Sequence, residues 1–337
     1  MLEQRFPHRP AEWSIEPGPS VDVGACMEMP YPLPVFGVAW SPDGSRVAAV
    51  GGGGMHEVRG FVRCLDIHSG RTLDCKGATA GLFDLAFDPR TGLLAVAGND
   101  DSVVLWNLQE PDALVLCPPD GVAKHQVAFA TERPWMAVGE EMAVSGKHSA
   151  AFVLDLETGD EVFRHTLPAR HYVDAMALSP DGAHLLVVVF PYDGGRTDLE
   201  WWEVRTGRRR WTVRVRCDLL HGVRFAGADG PSLESITDLH GDRWLRCRRP
   251  EDGAVTIERM VGGLLMGALC LDRERGRVAS GGSDGKVAVV DLPDLVPSGH
   301  INLPDFPTMA MAFSPDGSRL AVGSTSGDLV VVSIPTA

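Results

Sequence analysis

The chain has 337 residues, a formal net charge of −14 and 44% apolar residues, which is enough for a large buried core. Its negative charge disfavours sequence-independent binding to the phosphate backbone of nucleic acids. No run of 18 apolar residues occurs, and Met1–Arg5 lack the basic and apolar regions of a secretory signal, so we expect neither a membrane span nor secretion.

In chain order, residues 1–22 come first and contain four prolines, which predicts an extended arm outside the regular structure. A unit of four short strands separated by Gly, Pro, Asp and Ser turns follows. The apolar runs of this unit are Phe36–Trp40, Ser45–Val50, Phe61–Ile67 and Arg71–Cys75.

This unit is repeated along the chain. The tetrapeptide Ser-Pro-Asp-Gly occurs at Ser41–Gly44, Ser179–Gly182 and Ser314–Gly317, each time between two apolar runs. Alignment on the apolar residue before the turn gives seven anchors, 42 to 49 residues apart: Trp40, Phe87, Phe129, Leu178, Phe225, Leu271 and Phe313. A β-helix would need a shorter period, and helical solenoids would need a 3.6-residue periodicity that these runs lack.

Seven units of four strands resemble the WD40 class of β-propeller. The resemblance implies an all-β fold, a seven-bladed propeller of four-stranded antiparallel blades. Of the signature residues, only Trp106-Asn107 approximates the Trp-Asp dipeptide of the family. The Gly-His dipeptide is missing from every unit, so we expect no His–Ser–Asp–Trp hydrogen-bond network. The resemblance further implies a non-enzymatic scaffold that presents one propeller face to a partner subunit or peptide in a multi-component complex.

The last unit is one strand short. It contains only the runs Ala310–Phe313, Arg319–Val322 and Leu329–Ile334, whereas Val23–Met27 stands before the first anchor at the offset of a fourth strand. We predict that Val23–Met27 completes the seventh blade and covers sheet edges that would otherwise invite aggregation. The chain is therefore divided into an arm, residues 1–22, and one propeller, residues 23–337.

Small and large side chains alternate in the strand that ends at each anchor. The residue before the anchor is usually alanine, as at Ala39 and Ala86, and the residue before that is large, as at Val38 and Leu85. Because successive side chains of a strand point to opposite faces, we expect the small side chains to face the crowded central channel and the large ones to pack between blades.

The residue four positions before each anchor is expected to circle the mouth of the channel. This mouth column consists of Phe36, Phe83, His125, Asp174, His221, Gly267 and Met309. Apart from Gly267, we expect these residues to bind the partner. The aromatic and Met side chains would be apolar anchors, while the acid and the histidines would set register and specificity.

The same column offers an alternative function. Imidazole and carboxylate groups are suitable metal ligands, so His125, Asp174 and His221 would serve a metal-dependent propeller hydrolase. Hydrolases on this scaffold usually bring more carboxylates to the mouth than this column supplies. The favoured prediction is therefore a protein with no enzymatic activity, no catalytic residues, no metal and no cofactor.

Three connections between the second and third strands are long: Gly51–Gly60, Gly139–Ser149 and Pro191–Leu199. They should emerge on the face that bears the mouth column. Since binding residues concentrate on loops held by a rigid scaffold, His56, Met142 and Tyr192 are added to the predicted partner surface.

A secondary basic rim is predicted on the opposite face, where it would dock an acidic partner. Its residues are Arg208, Arg209, Arg210, Arg248 and Arg249. The favoured alternative is an ordinary solvated face, because this chain has 27 Arg and only 4 Lys and places Arg wherever a cation is tolerated. The same Arg usage suggests a GC-rich, bacterial genome.

The seven cysteines are odd in number and form no Cys-x-x-Cys pair. They are typical of small buried residues in a reducing compartment, so we expect a cytoplasmic protein. The expected partners are proteins, with no direct nucleic-acid contact and no membrane contact.

Overall fold

The computed structural model describes residues 13–15, 23–28, 33–52, 60–74, 81–99, 101–109, 113–117, 121–141, 147–215, 219–228, 230–263 and 267–335. The described part contains 29 strands and no helix, and so no helix with the length and apolar character to cross a bilayer. The strands form seven sheets. All-β architecture with seven four-stranded antiparallel blades, as predicted, is confirmed.

Two strands precede the first blade, β1 (Trp13–Ile15) and β2 (Val23–Glu28). Blade one contains β3 (Val35–Trp40), β4 (Arg46–Gly52), β5 (Gly60–Asp66) and β6 (Thr72–Asp74). Blade two contains β7 (Leu82–Phe87), β8 (Leu94–Gly98), β9 (Val103–Trp106) and β10 (Ala113–Val115). Blade three contains β11 (Lys124–Phe129), β12 (Trp135–Glu140), β13 (Ala150–Asp155) and β14 (Glu161–Thr166).

The remaining blades follow the same order. Blade four contains β15 (His171–Leu178), β16 (His184–Pro191), β17 (Thr197–Glu203) and β18 (Arg208–Val215). Blade five contains β19 (Leu219–Phe225), β20 (Ser232–Thr237), β21 (Asp242–Arg248) and β22 (Val255–Gly263). Blade six contains β23 (Gly267–Asp272), β24 (Arg277–Gly282), β25 (Lys286–Asp291) and β26 (Val296–Asn302). Blade seven contains β27 (Thr308–Phe313), β28 (Arg319–Ser324) and β29 (Asp328–Ser333).

The first strand of each blade is the innermost one, because each of these strands contacts the first strand of both neighbouring blades. The contact between β27 and β3 closes the ring. The fourth strand of blade seven is β2, which pairs antiparallel with β29, at the place predicted for Val23–Met27.

The strand β1 adds a fifth strand to blade six. It pairs in parallel with the outer edge of β26, Trp13 opposite Gly299 and Ile15 opposite Ile301. The arm was predicted to lie outside the array, but these three residues pair with blade six. The open edge of β26 has unpaired backbone N–H and C=O groups, with which β1 forms its pairing.

The hydrophobic core is divided into layers between adjacent blades. Val38 and Trp40 of β3 pack towards blade seven, against Ala321 and Val331, whereas Ala39 packs towards blade two. The large side chains thus lie between blades as predicted. The prediction that the small side chains face the channel is wrong, because the sheets stand radially and both faces of every inner strand meet a neighbouring blade. The edge of the strand, and not one of its faces, borders the channel.

Candidate partner-binding site at the channel mouth

The mouth column occupies a distinctive backbone position. In six of the seven inner strands, the register with the second strand skips one residue, and that residue is the column member in each case: Phe36, Phe83, His125, Asp174, His221 and Met309. A bulge of this kind leaves one residue unpaired and redirects its side chain. Blade six is regular at this point, where Gly267 pairs with Gly282. All seven column residues are half-buried.

These bulges border an open cavity of about 130 Å³ at the centre of the ring. Five of the six predicted mouth residues line it, and His125 contacts the lining residue Phe83 instead. The residue after the column also lines the cavity in every inner strand: Gly37, Asp84, Gln126, Ala175, Gly222, Ala268 and Ala310. The column is thus assembled around the channel, while its binding to a partner stays a prediction.

Blades one to three supply an aromatic arc. The ring centroids of Phe36 and Phe83 are 5.7 Å apart, and those of Phe83 and His125 are 4.8 Å apart, with tilted ring planes. Half-buried aromatic rings at such distances attract each other beyond their area of contact. The arc therefore forms an aromatic wall on one side of the mouth.

Two carboxylates line the same cavity in different environments. Asp84 accepts hydrogen bonds from the backbone N–H groups of Val127 and Leu85, both at 2.9 Å. Burial nevertheless raises its pKa to about 6, against the opposing effects of these bonds and of Arg224. Asp174 has no hydrogen bond or ion pair with any described residue. Burial raises its pKa too, against the opposing charge of His125.

His221 is held by its neighbours in blades five and six. Its Nε2 lies 2.6 Å from Thr237 Oγ1, and a Cβ atom on Gly267 would come within 2.9 Å of its ring. Burial, followed by the charge of Arg243, lowers its pKa to about 4. His221 is therefore neutral at physiological pH.

The alternative metal site is not assembled. His125, Asp174 and His221 lie on three different blades, and the described residues contain no group of three His, Cys, Asp or Glu side chains that could hold a metal ion. Nothing in this geometry favours the hydrolase.

Of the predicted loop residues, Tyr192 lies in the described part of the chain, while His56 and Met142 lie outside it. Tyr192 directly follows β16, is 48% exposed and donates its backbone N–H to Arg170 O at 2.8 Å. Next to it, Tyr172 stacks on Phe190, and burial together with the charge of Asp174 raises the pKa of Tyr172 to about 12. The loop after β16 therefore adjoins the mouth.

The predicted basic rim lies at the opposite end of the blades, where β18 begins and β21 ends. Every one of its arginines forms an ion pair within the chain. The pairs are Arg208–Glu203, Arg209–Glu200, Arg210–Glu203, Arg248–Glu234 and Arg249–Asp252. Arg248 is buried, 2.8 Å from Glu234, so it adds nothing to the surface. The other four arginines pair with three acids of the same blades, because Arg208 and Arg210 share Glu203.

The sequence analysis missed the second ring of cavity residues. Asp84 and Gln126 are the polar members of that ring, and Arg224 reaches the same cavity from blade five. The signal was present in the repeat alignment, because all seven members stand three residues before the anchors. In a regular strand, the side chain that follows a mouth-column residue would point to the opposite face of the sheet. The bulge, which the sequence does not reveal, brings this next residue to the cavity as well.

Comparison with known proteins agrees with this architecture. Residues 68–107, which end at Trp106-Asn107, match the WD40 family described as WD domain, G-beta repeat. The whole ring superposes on a chain in the crystal structure of the mitotic checkpoint complex, with a TM-score of 0.75 and 13% identity over 99% of this chain and 100% of that one. The protein is a seven-bladed β-propeller that is similar to WD40 repeat proteins. A 211-residue stretch, 59% of the chain, is 26% identical to transducin beta-like protein 3 from Bos taurus and spans 24% of that relative's length.

Around Trp106, the tryptophan of the dipeptide Trp106-Asn107, the described residues form no hydrogen bond with the indole. Trp106 is 2% exposed, and its indole N–H has no acceptor among the described residues. Trp135 of blade three, by contrast, has a hydrogen-bond partner, because its indole N–H donates to the Asp155 carboxylate at 3.0 Å. The blades are therefore stabilised by different local contacts within a common architecture. WD40 propellers are typically protein-interaction scaffolds.

Proposed function

We propose that this WD40-like propeller is a non-enzymatic scaffold that binds a partner subunit or peptide over its channel mouth. The observation that carries the proposal is the ring of six bulges, five of which place a large or polar side chain in the lining of one opening, while the sixth places His125 against Phe83. An apolar arc with a few polar groups suits a protein interface. The likeness to a chain of a checkpoint complex and the match to a G-beta repeat support this class of function.

The proposed surroundings are the cytosol and a multi-component complex. Four cysteines of the described part, Cys64, Cys117, Cys247 and Cys270, are buried, which is typical of small apolar residues in a reducing compartment. The ion-paired rim disfavours a second docking face for an acidic partner. We infer neither nucleic-acid nor membrane contact, given the net charge of −14.

The test is affinity capture of the tagged chain from its native cytosol, followed by mass spectrometry. The double variant Phe83→Ala/His221→Ala removes one arc residue and one polar mouth residue, and we expect it to lose the partner. The control is Arg249→Ala, which breaks an exposed ion pair on the opposite face. Thermal unfolding must show that both variants fold.

A stoichiometric protein recovered by the native chain and by the control, but not by the double variant, supports the proposal. Equal recovery by all three chains, or no stoichiometric protein at all, contradicts it.

A further inference from the structure

Asp174 differs from Asp84, the other acid that lines the cavity, because its carboxylate is open to an incoming group. It lines the channel mouth and has neither a hydrogen bond nor an ion pair with any described residue, whereas Asp84 accepts two backbone hydrogen bonds. The carboxylate is partly withdrawn from water, and this burial raises its pKa. An incoming donor with a positive charge would form a charge-assisted hydrogen bond with it.

The surroundings of Asp174 suit the carbon stem of a long cation. Phe36, Phe83 and Met309 line the same cavity, and the two Phe rings face each other obliquely at 5.7 Å. Cations bind favourably over aromatic faces, and the methylene groups of Lys and Arg pack along apolar surface. One carboxylate and an aromatic wall are thus present together.

The size and charge of the opening also point to a single cationic side chain. About 130 Å³ is too small for a strand or helix but has room for the end of one side chain. Among the described residues that line the cavity, Arg224 is the one Arg or Lys. Its Nη1 donates to Val223 O at 2.8 Å, and its charge acts on Asp84. The net charge of −14 favours the approach of a basic partner.

We propose that the channel mouth accepts a Lys or Arg side chain of the partner protein, with Asp174 as its counter-ion and Phe36 and Phe83 as its apolar wall. This inference rests on the proposed function, since it names the chemistry of the segment that binds at the same face.

The test uses a charged probe and its neutral isostere. N-acetyl-arginine methylamide and N-acetyl-citrulline methylamide have the same shape and differ in charge. Each is titrated into protein carrying ¹³C-methyl methionine, and the Met309 resonance, assigned with Met309→Leu, reports binding at the mouth. We expect the citrulline probe to bind at least about tenfold more weakly, as expected for the loss of a charge-assisted hydrogen bond.

Asp174→Asn should reduce binding of the arginine probe to the level of the citrulline probe. The control Glu157→Gln removes one negative charge from an exposed side chain on the opposite face and should leave binding unchanged. Equal binding of the two probes, no response of Met309, or an unaffected Asp174→Asn protein would each overturn the inference.

Capture from cytosol separates this inference from the proposed function. If Phe83→Ala/His221→Ala loses the partner while Asp174→Asn retains it, the mouth is the interface but Asp174 does not bind a cationic side chain of the partner. If neither variant changes recovery, the proposed function itself fails. Loss of the partner by both variants supports both proposals.

Discussion

The Ser-Pro-Asp-Gly turn owes its recurrence to one hydrogen-bond pattern. In each copy the Ser hydroxyl donates to the Asp carboxylate two residues on, at 2.5 to 2.6 Å, and accepts the N–H of the residue five positions on, at 2.9 Å. Gly44 adopts a φ of 69°, which only glycine adopts without strain, and its N–H donates to Ser41 O. These bonds hold the pKa of Asp43 at about 2.

Asp43→Ala should lower the free energy of unfolding by about 1 to 2 kcal/mol at pH 7, because the Ser41 and Ser45 donors lose their acceptor. The measurement is urea unfolding. Because the pKa of Asp43 is lowered on folding, its contribution is present above the unfolded pKa of about 3.9 and is lost as the pH falls towards 2. Asp193→Ala, in an exposed loop, is the control and should change stability by less than about 0.5 kcal/mol. Equal loss in the two variants would contradict the role of the turn.

His221 should make the fold sensitive to mild acid. Its pKa is lowered to about 4 on folding, so the unfolded chain binds its proton first, and stability falls as the pH drops from about 6.5 to 4. At 1.36 kcal/mol per pH unit, the loss is up to about 3 kcal/mol, less where water reaches the ring.

His221→Gln, whose side-chain amide still reaches a hydroxyl, should remove that part of the acid sensitivity in unfolding measurements from pH 7 to 4. The pKa of Asp84 shifts in the opposite direction, to about 6, but Asp84 is common to both proteins and cancels in the difference. Parallel stability curves for the two proteins would exclude His221 as the cause.

At the scale of the element, the inner strand of a blade pairs regularly with the second strand near the anchor and irregularly near the channel mouth. Near the anchor it alternates strictly between two interblade layers, and four residues earlier it bulges towards the channel. Periodicity in the sequence revealed the alternation but not the direction in which the two faces point. That direction depends on the radial stacking of blades, which only the tertiary structure defines.

Gly267 and Gly222 form a matched pair for testing the packing of His221. A Cβ atom on Gly267 would lie 2.9 Å from the His221 ring, whereas one on Gly222 would meet Leu269 Cβ at an ordinary 3.5 Å. Gly267→Ala should therefore cost about 1 to 3 kcal/mol of unfolding free energy, and Gly222→Ala less than about 1 kcal/mol. Chemical denaturation of both variants checks this, and a greater loss in Gly222→Ala would show that the ring moves freely.

For the whole molecule, ring closure joins residues from opposite ends of the chain. Trp40 Nε1 donates to Ala312 O at 3.0 Å, β3 packs on β27, and β2 pairs with β29. An annulus closed in this way has no free edge between its first and last blades.

Removal of residues 1–28 should destabilise the ring far more than removal of residues 1–22. The shorter deletion removes β1, while the longer one also removes β2 and its backbone bonds to β29, at about 0.5 to 1.5 kcal/mol each. We expect the longer deletion to lower the unfolding midpoint strongly and to promote aggregation, both measured by scattering during thermal unfolding. Similar midpoints for the two truncated chains would contradict closure by β2.

The sequence contained the number of blades and the column at the mouth, because both follow from the spacing of turns and apolar residues. It did not contain the burial of Arg248, since nothing near that residue in the chain separates it from exposed Arg249. Likewise, Asp174 and Asp84 stand in adjacent columns of the alignment, which does not show that Asp84 accepts hydrogen bonds from Val127 and Leu85 while Asp174 has no such partner among the described residues. Local patterns predict positions, whereas the partners of a side chain depend on the neighbouring strands and blades.

The regular pairing at Gly267 has a geometric consequence. Six inner strands bulge at the mouth, whereas the inner strand of blade six is regular and has no side chain at Gly267, so the mouth has no rotational symmetry. The ring of His221 lies next to Gly267, in the space that a side chain there would need. A sevenfold mouth would let a bound partner sit at any of seven equivalent angles. This mouth allows a bound partner only one orientation about the channel axis, because the aromatic arc lies on one side and Gly267 on the other. A subunit bound there would be fixed both in its position and in its rotation about the channel axis. One propeller could therefore set the orientation of its partner subunit within a larger complex.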